Sequence, residues 1–324
     1  MSTGFTVGTR GSALATTQTG WAADALAALS GLEARTVLVK TEGDVITGSL
    51  ATLGGTGVFA AALRQHLLDA GCDLAVHSLK DLPTIQPEGL VLAAIPARED
   101  VRDALCARDG LSLADLPQGA KIGTGSPRRA AQLLNHRPDL RIVDIRGNVP
   151  TRLGRVKGVG QTLDDGSVGR AVQGDLDAVI LAAAGLHRLD MARHITEYLD
   201  PAIMLPAPGQ GALAVEVRST GSGQPALDAA LAEFDDAPTR MQVGAERALL
   251  NALEAGCAAP IGALARFEGT ELVLDAVACK PDGSQVMRQS ARAQVADEAA
   301  ALFLGRSLAR TMIENGAAAV AGLA

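Results

Sequence analysis

Two segments of the chain repeat one local design. VGTRGS at residues 7–12 and IGTGS at residues 122–126 each end a strand-like run with Gly-Thr and place a serine just before a helix-like run. A strand that hands over to a helix within a few residues is half of a βα unit, and two such units in separate regions restrict the chain to α/β architectures with more than one sheet. The flanking runs agree. FTVGTR, SALATTQTGWAADALAAL, ARTVLVKT, GVFAAALRQHLLDAG and DLAVHSL alternate strand and helix character, and so do AKIGTGS, PRRAAQLLNHRP, LRIVDIRG and LDAVILAAAGLHRL. Mostly parallel sheets are expected from that rhythm. At 324 residues the chain exceeds what one core usually supports, and with 48% hydrophobic but only 2% aromatic residues its interiors must be built from Ala, Leu, Val and Ile.

The Pro/Gly-rich segments Pro96 to Asp100 and Leu205 to Gly211 read as two crossings between domains, after which ALAVEVR returns as a strand to the first sheet. From about Glu233 the pattern changes to a helix, short strands around a Pro-Asp-Gly turn at 281–283, and a final helix. A DG turn joins antiparallel strands, so this third unit is α+β. The expected division is 1–97 with 207–232, then 98–206, then 233–324. Residues Lys157 to Gly174 lack periodicity and read as a loop or irregular helix.

A net charge of −7 and seven aromatic residues argue against a nucleic-acid partner. Between Lys121 and Gly160, however, nine Lys or Arg face only Asp139 and Asp144, a local excess of seven positive charges that calls for something anionic. The four cysteines form no CxxC pair and the five histidines no HxxxH, so neither a metal site nor a disulfide framework is indicated. No apolar run reaches the roughly 20 residues of a membrane span, and the opening MSTGFTVGTR has no basic and apolar leader pattern. A cytoplasmic chain without membrane or metal is expected.

Ser12 and Ser126 fit helix N-caps and Pro127 the first helical position. Arg128 and Arg129 then stand in a first turn, where cations oppose the helix dipole unless an anion offsets them. Arg10 occupies the matching loop of the first unit, and Arg146 and Arg152 follow another strand end in DIRGNVPTRL. In DLAVHSLKDLP, Lys80 and Asp81 sit where a buried strand stops before Pro83. Ligands of open α/β sheets bind at such carboxyl edges. Taken one at a time, the serines also fit ordinary caps, the arginines solvated surface charges, and Lys80–Asp81 an exposed turn.

Taken together, VGTRGSALATTQT, DLAVHSLKDLPT, IGTGSPRRAAQL, DIRGNVPTRL, LPAPGQGA and LEAGCAAPIGA resemble the porphobilinogen deaminase (hydroxymethylbilane synthase) family in order and spacing, over Thr6 to Ala265. The resemblance implies two hinged doubly wound α/β domains of periplasmic-binding-protein type and a smaller α+β domain. It implies a monomeric transferase of tetrapyrrole and haem biosynthesis that joins four porphobilinogen units head to tail, losing ammonia each time, and releases 1-hydroxymethylbilane by hydrolysis. The dipyrromethane cofactor would be covalently attached to Cys257, leaving Cys72, Cys106 and Cys279 structural. Asp81 would be catalytic, stabilising the azafulvene cation made on deamination, with Lys80 and Arg10 beside it. Thr124, Ser126, Arg128, Arg129 and Arg146 would join Lys80 and Asp81 in holding the cofactor, while Arg10, Ser12, Arg146, Arg152 and Arg188 would line the path of substrate and growing chain. This sequence departs from the family pattern at Thr56, Ala61 and Ala255, and Gly154 to Gly174 is longer than the family's segment. A different reading of the arginines and capped helices is a non-catalytic two-domain anion-binding protein, which needs neither Cys257 nor Asp81.

Overall fold

The computed structural model describes residues 4–39, 58–159, 174–256 and 259–323. The first domain opens with β1 (Gly4–Thr9), α1 (Ala13–Ser30), β2 (Glu33–Leu38), α2 (Val58–Leu68), β3 (Leu74–Ser78) and β4 (Leu90–Ala94). The second contains β5 (Asp103–Ala107), β6 (Lys121–Gly123), α3 (Pro127–His136), β7 (Arg141–Val143), α4 (Val149–Leu153), β8 (Ala178–Ala182), α5 (Ala183–Arg188) and β9 (Glu197–Tyr198). The chain then returns to the first domain with β10 (Leu213–Arg218) and α6 (Pro225–Phe234). A third domain follows with α7 (Ala237–Ala252), β11 (Ile261–Glu268), β12 (Glu271–Cys279), β13 (Val286–Gln294), α8 (Glu298–Glu314) and α9 (Ala317–Ala321).

The first two sheets share one plan. In the first, of order β2-β1-β3-β10-β4, β1 runs parallel to β2 and β3, while β10 lies antiparallel between β3 and β4. In the second, of order β7-β6-β8-β5-β9, β6 runs parallel to β7 and β8, while β5 lies antiparallel between β8 and β9. Mixed sheets replace the mostly parallel ones expected from the βα rhythm. The odd strand in each sheet is the one that has just crossed from the other domain. It enters beside the carboxyl end of its neighbour, Leu213 pairing with Ser78 and Asp103 with Ala182, and so must run the opposite way. Both crossings therefore arrive at the strand ends that bear the candidate site.

Local chemistry explains the helix starts. Ser12 accepts from the Ala15 amide (3.3 Å) and Ser126 from that of Arg129 (3.4 Å), while Asn148, Asp236 and Asp297 cap α4, α7 and α8. The third sheet is an antiparallel meander, β11-β12-β13, whose second turn contains the Pro-Asp-Gly segment, with the Lys280 amide donating to the Gln285 carbonyl at 2.8 Å. Two apolar clusters join this domain to the others. Val243 of α7 packs with Ala60, Leu79, Leu82, Ile95, Ala212 and Ala214 of the first domain, and Leu264, Val277 and Cys279 pack with Ala131 and Leu205 of the second.

Candidate active site

β3 ends in a 3₁₀ turn, Leu79–Asp81, and the pattern of burial shows what holds it. Leu79 and Leu82 are buried, so Lys80 and Asp81 are displayed between two apolar anchors, with Asp81 exposed. The Leu79 amide donates to the Ala212 carbonyl (3.0 Å) and that of Leu82 to the Leu79 carbonyl (3.1 Å). From α7 of the third domain, Arg247 donates to the carbonyls of Leu79 (3.4 Å), Leu82 (3.2 Å) and Pro83 (2.7 Å). A turn closed by its own hydrogen bond and braced by two other segments of chain fixes where its carboxylate is presented.

Across from this turn, α3 begins behind Ser126. Thr124 is buried, and its hydroxyl accepts from the Ser126 amide at 3.2 Å. Arg128 and Arg129 are also buried and converge on Asp103 at the start of β5: Arg128 Nη2 lies 2.8 Å from Oδ2, and Arg129 Nη2 lies 2.7 Å from Oδ1. Arg128 also donates to the Leu205 carbonyl, and Arg129 to that of Ile180 at 3.2 Å. Burial alone would raise the Asp103 carboxyl, but the two guanidiniums outweigh it and hold it far below the usual carboxylate range. The anion that offsets the first-turn cations is therefore, in the first instance, a side chain of the protein. That corrects the inference from sequence, in which only a ligand was available for this role.

Breaking a buried ion pair from one side is costly, since the remaining charge stays desolvated. Asp103→Asn keeps the shape and leaves two buried guanidiniums without a carboxylate, so unfolding stability is expected to fall by about 3–5 kcal/mol. Asp139→Asn, which breaks the more exposed Arg137–Asp139 pair (2.7 Å), should cost far less, because solvent screens that pair. Denaturant titration of both variants checks this, and equal losses would contradict the assignment.

Lys80 links the two halves. Its ammonium donates to the Gln210 Oε1 at 3.3 Å. Burial first, and the positive charge of Arg129 second, bring its pKa from the ordinary 10.5 to about 8, against the opposing pull of Asp81 and Asp103. Arg152 feels the same surroundings: burial, Arg129 and Arg146 lower it, whereas Asp81 and Asp144 raise it. Lys80, Asp81, Arg129, Arg146 and Arg152 thus form one electrostatic cluster from two sheets. Arg146 passes over the start of α3, where a Cβ on Gly125 would lie 2.6 Å from the Ile145 carbonyl oxygen and 3.6 Å from Arg146 Cζ. Only glycine permits that approach.

The remaining candidates are placed less centrally. Ser12 caps α1, whose Leu14 lies near Gly185 of the second domain, and Arg10 is partly buried at the end of β1. Arg188 donates to the Gly211 carbonyl at 2.7 Å, which sets it against the second crossing. The local excess of positive charge is smaller in space than in sequence, because Asp103, Asp175 and Asp177 supply carboxylates to Arg128, Arg129, Arg155 and Lys157. Cys257 and Thr56 lie outside the described residues, as does most of the segment Gly154 to Gly174. Ala255 is buried in the third core, and Ala61 is exposed on α2. Cys72, Cys106 and Cys279 are buried free thiols.

Several structural partners were not evident from sequence. Glu246 of α7 is fully buried and accepts from Arg98 of the first crossing (2.7 Å), the Gly209 amide of the second (2.7 Å) and the Ala265 amide of β11 (2.9 Å), tying both crossings to the third domain. Arg247 beside it clamps the Lys80–Asp81 turn, and Gln210 joins Lys80 to Asp103. Only Gln210 left a local signal, a lone polar residue between two glycines in PAPGQGA.

A donor set of one lysine, several arginines and two hydroxyls around one exposed carboxylate suits a ligand that bears several carboxylates and a pyrrole N–H, so these residues fit a dipyrromethane. Residues 5–224 match the family model described as porphobilinogen deaminase, dipyromethane cofactor binding domain, and residues 241–314 match that of the C-terminal domain of porphobilinogen deaminase. The porphobilinogen deaminase of Micrococcus luteus is 58% identical over 308 residues, covering 89% of this chain and 81% of its own. Those of Cutibacterium acnes and Thermobifida fusca are 53% and 50% identical, covering 98% and 96% of this chain and 96% and 93% of theirs. Among solved structures, a periplasmic substrate-binding protein of an ABC transporter from Coxiella burnetii aligns over 71% of this chain and 91% of its own, with 15% identity and a TM-score of 0.43. Two matched family models and relatives at half identity or more along nearly the whole chain establish that it belongs to the porphobilinogen deaminase family, the hydroxymethylbilane synthases that assemble four porphobilinogen units on a dipyrromethane cofactor.

Proposed function

We propose that this enzyme condenses porphobilinogen at the facing strand ends of the first two sheets, with Asp81 as its catalytic carboxylate. The observation that carries this reading is the convergence of Lys80 and Asp81 from β3 with Arg129, Arg146 and Arg152 from the second domain. When bound through Cys257, the dipyrromethane supplies the terminal pyrrole carbon to which the first unit is joined. The side chains do the rest. Lys80, Arg128, Arg129 and Arg146 hold its acetate and propionate carboxylates, while Thr124 and Ser126 orient it at the start of α3. Arg10, Ser12, Arg152 and Arg188 receive the carboxylates of incoming and added units. Asp81 opposes the positive charge that develops as ammonia leaves, and it accepts a pyrrole N–H.

With the division 1–97 with 207–232, 98–206 and 233–324, Arg10, Ser12, Lys80 and Asp81 come from the first domain, Thr124, Ser126, Arg128, Arg129, Arg146, Arg152 and Arg188 from the second, and Cys257 from the third. A monomer in the cytoplasm fits three buried thiols left unpaired and a net charge of −7.

The low lysine pKa gives a test. Lys80 is charged below about 8 and discharged above it, so the affinity of the apoprotein for a free dipyrromethane bearing acetate and propionate groups should fall about tenfold between pH 7 and pH 9.5. In Lys80→Met, affinity should be weaker at pH 7 and flat over that range. Equilibrium binding to parent and variant measures both, and a flat parental profile would sink the reading. Stability moves the other way. Because the folded pKa lies below the unfolded 10.5, the unfolded chain binds more protons between about 8 and 10.5, and this group makes stability rise with pH in that window.

A further inference from the structure

We propose that Gln210 is a positioning residue for Lys80, holding its ammonium in register with the Asp103–Arg128–Arg129 cluster so that two sheets present one carboxylate-binding face. The inference rests on the reading of Lys80 as a carboxylate-binding group and extends it to what sets that group in place.

The two halves of the cluster stand on different sheets, Lys80 after β3 and the arginines at the start of α3, so something must fix their relative position. Gln210 is completely buried in the second crossing. Its Nε2 donates to Asp103 Oδ1 (2.9 Å) and to the Val101 carbonyl (2.9 Å), while its Oε1 accepts from Lys80 Nζ (3.3 Å). Two acceptors on one side and a cation on the other leave a single sensible orientation of the amide. Its carbonyl oxygen must face Lys80.

The backbone is shaped to put the side chain there. Gly209 has φ +75° and Gly211 φ +87°, in the left-handed region that side chains resist. A Cβ on Gly209 would lie 3.2 Å from Leu79 Cγ, and one on Gly211 would lie 2.4 Å from the Glu99 carbonyl oxygen. The loop is thus pressed against the catalytic turn on one side and the first crossing on the other. Gly209 is further tied by its amide to Glu246 (2.7 Å), and Arg98 donates to the Gln210 carbonyl (2.7 Å). A crossing held this firmly places a neutral dipole between a lysine and a buried aspartate.

The charged groups around Lys80 are Asp81 on its own turn, Asp103 at the start of β5, and Arg128 and Arg129 at the start of α3. Among these fixed charges, altering Gln210 should move the lysine in a direction set by what replaces the amide oxygen. Gln210→Met keeps length and removes the acceptor, which favours the neutral amine. Gln210→Glu keeps shape and adds a negative charge, which favours the ammonium.

Only five lysines occur in the sequence, so carbon-13 labelling of lysine side chains gives a simple spectrum in which Lys80 is assigned by its loss in Lys80→Arg. Titrated in the holoenzyme, the Lys80 midpoint is expected to fall by about one pH unit in Gln210→Met and to rise by about one in Gln210→Glu. Covalent loading of the apoprotein with the cofactor, followed by intact mass, should be slower in Gln210→Met than in the parent. Unchanged midpoints, or shifts in the same direction, would overturn the proposal. Failure of both variants to fold would assign Gln210 to the scaffold and overturn it as well. The carboxylate-binding reading of Lys80 is tested separately by the Lys80→Met affinity, so either can fail alone.

Discussion

Asp81→Asn is expected to fold, to assemble the dipyrromethane and to bind porphobilinogen, yet to release ammonia more slowly by a factor of at least about 10²–10⁴. The reasoning starts from the turn. Leu79 and Leu82 are buried, the turn is tied to Ala212, and Arg247 holds three of its carbonyls, so none of the interactions that shape it involves the Asp81 carboxylate. Removing the charge leaves that geometry alone. What changes is the electrostatic balance around a turn where Lys80, Arg129 and Arg152 already supply positive charge. A cation generated there on loss of ammonia meets net repulsion unless a fixed anion stands beside it, and preorganised charge of this kind is among the largest contributions to enzymatic rate. Asparagine can still accept a pyrrole N–H, so positioning survives without turnover. Asp81→Glu keeps the charge but displaces it by one methylene, and should fall between parent and Asp81→Asn. Rapid-quench measurement of ammonia from a single turnover separates the three proteins. Asp81→Asn within about threefold of the parent would return Asp81 to the status of a surface partner of Lys80.

The features legible in sequence and those that were not differ in how local their causes are. β1, β3 and β6 announce themselves because each is a strand-like run followed within a few residues by a capped helix or a turn. Ser12, Ser126 and the Pro-Asp-Gly turn act on backbone groups two or three residues away. The site motifs were visible for the same reason, since strand ends and helix starts have local signatures. Asp103 was not. In AREDVRDALCARD it stands among other acids as one more surface charge, and its burial depends on arginines 128 and 129 and on Gln210, far along the chain. The mixed character of the sheets was hidden likewise: the direction of β5 and β10 follows from where the crossings deliver the chain, which no periodicity records. Glu246 and Arg247 sit in a helix that reads as an ordinary amphipathic one, and their roles appear only once both crossings and the Lys80–Asp81 turn are packed against it.

The second large effect concerns Cys257, the cysteine to which we assign the covalent attachment of the cofactor. A thiol reacts as the thiolate, and burial suppresses that form. Among the four cysteines of the chain, Cys72, Cys106 and Cys279 are buried in the cores, with thiols pushed up to about 11, 12 and 11. At neutral pH their thiolate fractions are negligible, and no cofactor of two pyrrole rings could reach them without opening a core. Cys257 follows in sequence an exposed glycine, Gly256, shortly after the end of α7, the helix that also braces the Lys80–Asp81 turn. Cys257→Ser is therefore expected to lose essentially all turnover while keeping the fold, because serine preserves the size of the side chain. The most direct measurement is the intact mass of the purified proteins. The parent should be heavier than its sequence by one covalently bound dipyrromethane, and Cys257→Ser should have the mass of its sequence alone; an unmodified parent, or an adduct that persists in Cys257→Ser, would contradict the account.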